Sequence, residues 1–186
     1  FESVLNERLH YQAPQLCDDV LSRQLPAPEQ QFVMLDAGCG TGLCGTLMAP
    51  WAKVLAGVDL SRGMLDRAQA KGVYSDLYKA ELTEFFKLSP QQWEVILSAD
   101  TLCYFGDLIE VVAAASASLK SGGTLVFTVE ALAEDKRLPH QIQPHGRYAH
   151  SQDHVIEALS RADLGVLELT AVELRHEGGV PVQGWL

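Results

Sequence analysis

A doubly wound α/β fold, with a mostly parallel seven-stranded sheet ending in an antiparallel hairpin, is what the sequence predicts. Three observations predict it. Short apolar runs such as "FVML" (32–35) and "VLAGVD" (54–59) alternate with stretches whose apolar residues recur at helical spacing. These runs are continuously apolar, as strands covered on both faces are. Near the end, "VLELTAVEL" (166–174) and "VPVQGWL" (180–186) are joined across "RHEGG", the pattern of a hairpin.

Each element has its own justification. Pro14 is suited to open a first helix, with Leu16, Val20 and Leu21 on one face, and "LPAPEQQ" breaks it. "FVML" is the first strand. Leu43, Leu47, Met48 and Trp51 then recur at helical spacing. "VLAGVD" is the second strand. Ser61 is an N-cap for a helix carrying Met64, Leu65 and Ala68. "LYKAE" (77–81) is a third strand, followed by a short helix with Phe85 and Phe86. "WEVILSAD" (93–100) is the fourth. Leu108, Ile109, Val112 and Leu119 mark a long helix stopped by "KSGG", with Gly122 as its C-cap. "TLVFTVE" (124–130) is the fifth strand and the most β-rich. Residues 131–150 have no clear period. Ser151 caps a last helix with Val155, Ile156 and Leu159 before the hairpin.

A chain of 186 residues without a linker, repeat or low-complexity tract reads as one domain over 1–186. Within it, 1–30 forms a helical lid and 131–150 an acceptor-side insertion. Its 14 basic and 24 acidic residues give a net charge of −10, which argues against nucleic acid or an anionic membrane surface as partner. The four cysteines form no CxxC pair, which fits a reduced, cytoplasmic setting. No apolar run approaches the roughly 20 residues of a membrane span, and no signal peptide is visible. The chain begins at Phe1 rather than Met and stops inside an expected strand, as a trimmed piece of something longer would.

The first strand leads into "VMLDAGCGTGLCG" (33–45), with Gly38, Gly40, Gly42 and Gly45 in eight positions. A triphosphate loop needs Lys before Ser or Thr after its last glycine, and here Gly45 is followed by Thr46. "GTGLCG" does match a dinucleotide pattern, with Asp59 lying 19 residues beyond Gly40. Asp36 opposes that reading. A carboxylate about 5 Å from a pyrophosphate charge costs about 3 kcal/mol at an effective dielectric of 20. Asp36, Asp59, Glu81 and Asp100 all fall at or just after expected strand ends, where open α/β sheets bind ligands. Strand-end loops are also polar for ordinary reasons, since Asp caps helices. A ligand with an adenosine, a cationic centre, an ammonium and a carboxylate suits this set, and S-adenosylmethionine is such a molecule.

Here the chain resembles the class I S-adenosylmethionine-dependent methyltransferases, which have a Rossmann-like fold. "VMLDAGCGTG" resembles their first motif and "GVDLSRGMLDRA" the second strand and following helix. "KAELTEF" resembles the adenine segment, "WEVILSADTLCYFGDL" the fourth strand, and "LKSGGTLVFTVE" the turn into the fifth. "LHYQAP" and "PHGRYAHS" further resemble a bacterial group of predicted methyltransferases, some of which carry tetratricopeptide repeats ahead of the catalytic domain. The family resemblance implies S-adenosylmethionine as cofactor. It implies that Asp36, Gly38 and Gly40 line the methionine end and that Asp59 holds the ribose. Leu60 then lies beside the adenine, Met64 joins from the next helix, and Glu81 and Leu82 contact the adenine. The Ala99 carbonyl or Asp100 meets the ammonium, and Tyr11 closes over the cofactor or simply packs on the sheet.

Methyl transfer needs chiefly alignment of donor and acceptor, and a base only where the acceptor loses a proton on the path. "HQIQPHGRYAHSQDH" (140–154) holds four of the six histidines. It reads as a cap with Arg147 for an anionic group and His145 or Tyr148 near the acceptor, as a structural loop, or as a metal site. Its histidine spacing matches no familiar zinc pattern, so no metal is expected. Tyr104 either faces the acceptor or packs with Phe105. Cys39 and Cys44, beside glycines on a close-packed loop, read as small buried residues. The expected function is methyl transfer to a small-molecule or protein acceptor. An NAD-dependent oxidoreductase and a non-catalytic S-adenosylmethionine-binding domain are the alternatives.

Overall fold

The computed structural model describes residues 11–133 and 137–186. The first ten residues of the expected lid, with the start of "LHYQAP", therefore lie outside the described residues. Five parallel strands form the central sheet: β1 (Phe32–Ala37), β2 (Ala52–Asp59), β3 (Asp76–Lys79), β4 (Trp93–Ser98) and β5 (Leu119–Phe127). Their order is β3-β2-β1-β4-β5. The helices are α1 (Ala13–Gln24), α2 (Leu43–Met48), α3 (Arg62–Gln69), α4 (Leu82–Lys87), α5 (Ile109–Ser118) and α6 (Gln152–Arg161).

Alternation along the buried strands divides the core. Met34, Val95, Leu97 and Val126 pack with Cys17, Val20 and Leu21 of α1 and Met48 of α2. Leu35 and Ile96 point the other way, toward Phe86 of α4, Val112 of α5 and Val155 of α6. The period of two puts both sets inside because helices cover both faces.

A second sheet has the order β7-β8-β6-β10-β9, with β6 (Val129–Ala131), β7 (His140–Ile142), β8 (Tyr148–His150), β9 (Ala171–Glu177) and β10 (Val180–Trp185). Thr128 alone separates β5 from β6. Its N–H donates to the Ser98 carbonyl and its Oγ1 accepts from the Asp100 N–H. Through this residue the antiparallel hairpin β9–β10 joins the parallel sheet, and β3-β2-β1-β4-β5/β6-β10-β9 is the seven-stranded arrangement.

Local details differ from the sequence reading. α5 ends at Ser118 and β5 begins at once, so Gly122, at φ +77°, sits in an irregularity of β5 rather than capping the helix. Ile156 is 41% exposed on α6, where His154, Val155 and Ala158 face inward. Residues 166–170 precede β9 rather than belonging to it, and "RHE" is strand, leaving Gly178 and Gly179 for the turn. Among the described residues, the aperiodic 131–150 supplies two new three-residue strands, too short to show a period. Ser61 and Ser151 do cap α3 and α6, accepting from the N–H groups of Met64 and His154.

Candidate functional site

The glycine loop crosses the carboxyl ends of β1 and β2. Gly38 and Cys39 donate to the Val58 carbonyl at 2.8 and 3.0 Å. Gly38, Gly40 and Gly42 all have positive φ, a backbone shape that costs glycine little. Two of the motif glycines make room for protein. A Cβ at Gly38 would lie 2.1 Å from the Thr101 hydroxyl, and one at Gly45 would lie 2.1 Å from the Tyr74 hydroxyl. A Cβ at Gly40 would point into open space.

Asp36 lies beneath this loop. Its carboxylate is buried and accepts a 2.6 Å hydrogen bond from the Tyr74 hydroxyl. Burial pushes the carboxyl up to about 7, against the stabilising Tyr74 and Gly45 contacts. Gly45→Ala is expected to displace Tyr74 and cost about 1–3 kcal/mol, the usual price of overpacking. Urea unfolding checks this, and an unchanged midpoint would show that Tyr74 has room to yield.

Asp59 ends β2 and grips the loop from its open side. Oδ2 accepts from the Gly40 N–H at 3.0 Å and Oδ1 from the Ser61 N–H at 2.7 Å. Leu60 beside it is 66% exposed, and Met64 follows on the first turn of α3. Glu81 is the N-cap of α4 rather than a strand terminus, since β3 stops at Lys79. Burial works to raise its carboxyl, but the N–H groups of Glu84, Thr83 and Leu82 hold it below the usual range. Leu82 belongs to the core. At the end of β4, the Thr101 hydroxyl lies 3.1 Å from the Ala99 carbonyl and 3.3 Å from the Gly38 carbonyl, so one proton serves two acceptors.

Asp100 has φ +51°, rare for a residue with a side chain. Arg175 of β9 holds both its oxygens through Nη1, at 2.9 and 3.1 Å. Burial pushes the Asp100 carboxyl up, while Arg175 and Arg147 pull against that. Arg175 also donates to Glu130 and, through Nε at 2.8 Å, to Glu177. Arg147 donates to Glu130 at 2.7 Å and to Glu177. Two arginines thus face three carboxylates in a network that is buried at Arg175 and Glu130 and partly exposed at Arg147 and Glu177. His145 Nε2 lies 3.2 Å from Glu130, and Tyr104 lies close enough to Arg147 to help hold its guanidinium charged. Tyr11 packs over the α1 face of the core, where burial and the Asp100 charge push its hydroxyl up.

The structure therefore brings three of the acceptor-side candidates together with one of the strand-end acids, Asp100. Arg147, His145 and Tyr104 connect through Glu130 and Arg175 to Asp100. Tyr148 stands apart, edge-on to His140 at 5.7 Å. His140, His150 and His154 have ring centroids 5.4–6.2 Å apart. His150 Nε2 lies 2.8 and 3.1 Å from the Phe105 and Gly106 carbonyls, and His154 Nε2 accepts from the Leu108 N–H, while the buried His150 Nδ1 has no hydrogen-bond partner among the described residues. Among the described residues no three potential ligands converge on a metal position. Nor, among them, is any helix long and apolar enough to cross a membrane. Tyr74, Thr101, Glu130 and Arg175 were missing from the sequence candidates. Glu130 carried the same strand-end signal as the four acids that were singled out. Arg175 carried a weaker one, a cation inside an apolar hairpin strand.

Comparison with known proteins agrees with this geometry. A family model described as a methyltransferase domain matches residues 9–168. Human methyltransferase-like protein 27 is 49% identical over 70 residues, 37% of this chain and 29% of that protein. The ubiquinone biosynthesis O-methyltransferase of Saccharophagus degradans is 29% identical over 99 residues, 51% of this chain and 42% of that one. The chain thus matches less than half the length of these relatives. An S-adenosylmethionine-dependent methyltransferase of Mesorhizobium loti superposes with a TM-score of 0.69 at 20% identity, covering 90% of this chain and 94% of its own. One from Leishmania major reaches 0.74 at 16% identity, covering 95% and 72%. The family model covers most of the chain and the strand order agrees with it: the chain belongs to the methyltransferase-domain family and shares the fold of these S-adenosylmethionine-dependent methyltransferases.

Proposed function

We propose that this chain binds S-adenosylmethionine across the ends of β1, β2 and β4 and passes its methyl group to a small-molecule or protein acceptor held beside 140–150. The observation that carries the reading is Asp59: a strand-end carboxylate fixed by two backbone N–H groups beside the open face of Gly40. Each oxygen keeps a lone pair for a ribose hydroxyl. Leu60 is exposed for the adenine. The Gly38 and Ala99 carbonyls, which share the Thr101 proton, are suited to an ammonium with three donors. Because Arg175 already engages both Asp100 oxygens, those carbonyls serve the ammonium better than the Asp100 carboxylate does. Asp36 acts as a support beneath the loop in this reading, and Tyr11 with α1 as the lid.

Residues 137–150 form the acceptor side in this reading, with Tyr104 exposed at its edge. Arg147 is already matched by Glu130 and Glu177, so it shapes this wall rather than capturing an anion. The Saccharophagus relative's name specifies O-methylation in ubiquinone biosynthesis, which favours a small molecule accepting on oxygen. The "PHGRYAHS" segment supports placing the chain near the group associated with tetratricopeptide repeats. Calorimetric titration tests the cofactor. Asp59→Ala is expected to weaken S-adenosylhomocysteine binding by about 1–3 kcal/mol. Unchanged affinity refutes the ribose role, and tight binding of NADH alone refutes the whole reading.

A further inference from the structure

Three histidines stand behind the segment that leaves β4. Residues 99–108 run from the end of β4 to the start of α5 and carry Asp100, Thr101 and Tyr104 past the site. Thr101 bridges the Gly38 and Ala99 carbonyls, Asp100 is held by Arg175, and Tyr104 is exposed. The far half of the segment is fastened by β8 and α6. His150 of β8 sets Nε2 2.8 Å from the Phe105 carbonyl and 3.1 Å from that of Gly106. His154 of α6 accepts from the Leu108 N–H at 3.2 Å. Gly106 is pressed between these points against β7 and β8: a Cβ there would lie 3.1 Å from the Tyr148 ring and 3.2 Å from the His140 ring.

A proton acts differently on the two fastenings. His150 is fully buried, and with Nε2–H donating to the two carbonyls its Nδ1 has no hydrogen-bond partner among the described residues. A proton on Nδ1 would be a buried donor left unmet. Burial pushes this imidazole down to about 4, against the pull of the two carbonyls, so its grip on Phe105 and Gly106 persists in mild acid. His154 Nε2 instead lies between a donor, the Leu108 N–H, and an acceptor, Asp107 Oδ1, 3.6 Å away. A neutral imidazole serves the first. An imidazolium serves only the second, because both its nitrogens are then donors. Asp107 is mostly exposed and accepts from the Ile109 N–H at 2.9 Å, so its carboxylate has capacity left for the ring. The titratable groups around His154 are Asp107 of the segment, His140 of β7, His150 of β8 and Glu157 of α6 itself. Burial holds the His154 imidazole below its usual range; Asp107 and Glu157 oppose this, and His140 adds to it. At neutral pH the ring is therefore uncharged and the Leu108 bond is made.

We infer that His154 is a positioning residue for methyl transfer. Neutral, it latches Leu108 and fixes the segment that carries Asp100, Thr101 and Tyr104; protonated, it lets Leu108 go and pairs with Asp107. This role rests on S-adenosylmethionine lying across the ends of β1, β2 and β4. Release loosens the start of α5, since Leu108 is its N-cap. The freed segment then holds Thr101, and through it the Gly38 and Ala99 carbonyls, less firmly.

Wild type, His154→Gln and Asp107→Asn are to be compared from pH 7.5 to pH 5. The readouts are the Leu108 amide resonance, the His154 ring resonances, and calorimetric titration with S-adenosylhomocysteine. Glutamine offers Leu108 an oxygen but takes up no proton. The wild-type Leu108 amide should shift in step with the His154 ring, and that of His154→Gln should stay in place. The affinity of the wild type relative to His154→Gln should fall about fivefold or more over this range. That ratio removes titrations common to both, such as that of Asp36. Asp107→Asn should move the Leu108 midpoint down by roughly half a pH unit, the worth of an exposed ion pair. A Leu108 amide that ignores the His154 ring, or a midpoint that Asp107→Asn leaves in place, overturns the latch. A Leu108 shift with a constant affinity ratio overturns the positioning role. Failure of all three proteins to bind S-adenosylhomocysteine at any pH faults the cofactor reading instead, and the Leu108 amide still decides the latch.

Discussion

Arg175→Met is expected to destabilise the fold by about 3–5 kcal/mol at pH 7.5, the cost of removing one partner from a buried ion pair. Arg175 is 4% exposed and lies between Asp100, Glu130 and Glu177. Its removal leaves Arg147 alone against three carboxylates. Methionine fills much of the volume, so the loss measures charge rather than a cavity. Asp100 suffers most: Arg147 donates to Glu130 and Glu177, whereas Arg175 is the cation bonded to Asp100. The uncompensated carboxyls can take up protons, so the deficit should shrink toward pH 5. Arg175→Lys keeps the charge but not the fork that reaches three acceptors and should fall between. Urea unfolding at pH 5 and pH 7.5 makes the comparison. A loss below about 1 kcal/mol at pH 7.5 would place this network in the class of exposed pairs.

That network shows where sequence reasoning reaches and where it stops. The strands of the parallel sheet were legible because each is a short apolar run buried on both faces, and the capping serines because Ser61 and Ser151 stand just before apolar periodicity. Arg175 and Asp100 are 75 residues apart, and nothing local to either announces the other. Their pairing depends on Thr128, where the sheet passes from β5 to β6 and brings the hairpin beside β4.

The glycine motif was legible as a loop and less so in its physics. Two of its glycines answer to Thr101 and Tyr74, residues that lie in other loops. Asp36, two residues before Gly38, lies under the loop and is bonded to Tyr74, so its protonation bears directly on stability.

Asp36→Asn is expected to change the pH dependence of stability and to raise stability by roughly 2–4 kcal/mol at pH 8. Burial raises the Asp36 carboxyl from 3.8 to about 7. Between those values the folded protein keeps a proton that the unfolded chain has released. Stability from this group is thus full below pH 4, falls as pH rises to about 7, and stays low above. His150 has the opposite sign. Burial lowers it from 6.5 to about 4, so the folded protein lacks a proton that the unfolded chain holds in that window, and stability rises with pH. The two nearly cancel between pH 4 and 6.5 in the wild type. Asparagine keeps an oxygen to accept from Tyr74 but has no proton to lose, which leaves the His150 slope exposed. The variant should match the wild type near pH 4, gain stability up to pH 6.5, and remain above it at pH 8. His150→Gln, whose amide can still donate to the Phe105 carbonyl, should show the mirror image, falling steadily from pH 4 to pH 7. Parallel curves for wild type and Asp36→Asn would mean that Asp36 is ionised in the folded protein, and the Tyr74 hydrogen bond would then be one to a buried carboxylate ion.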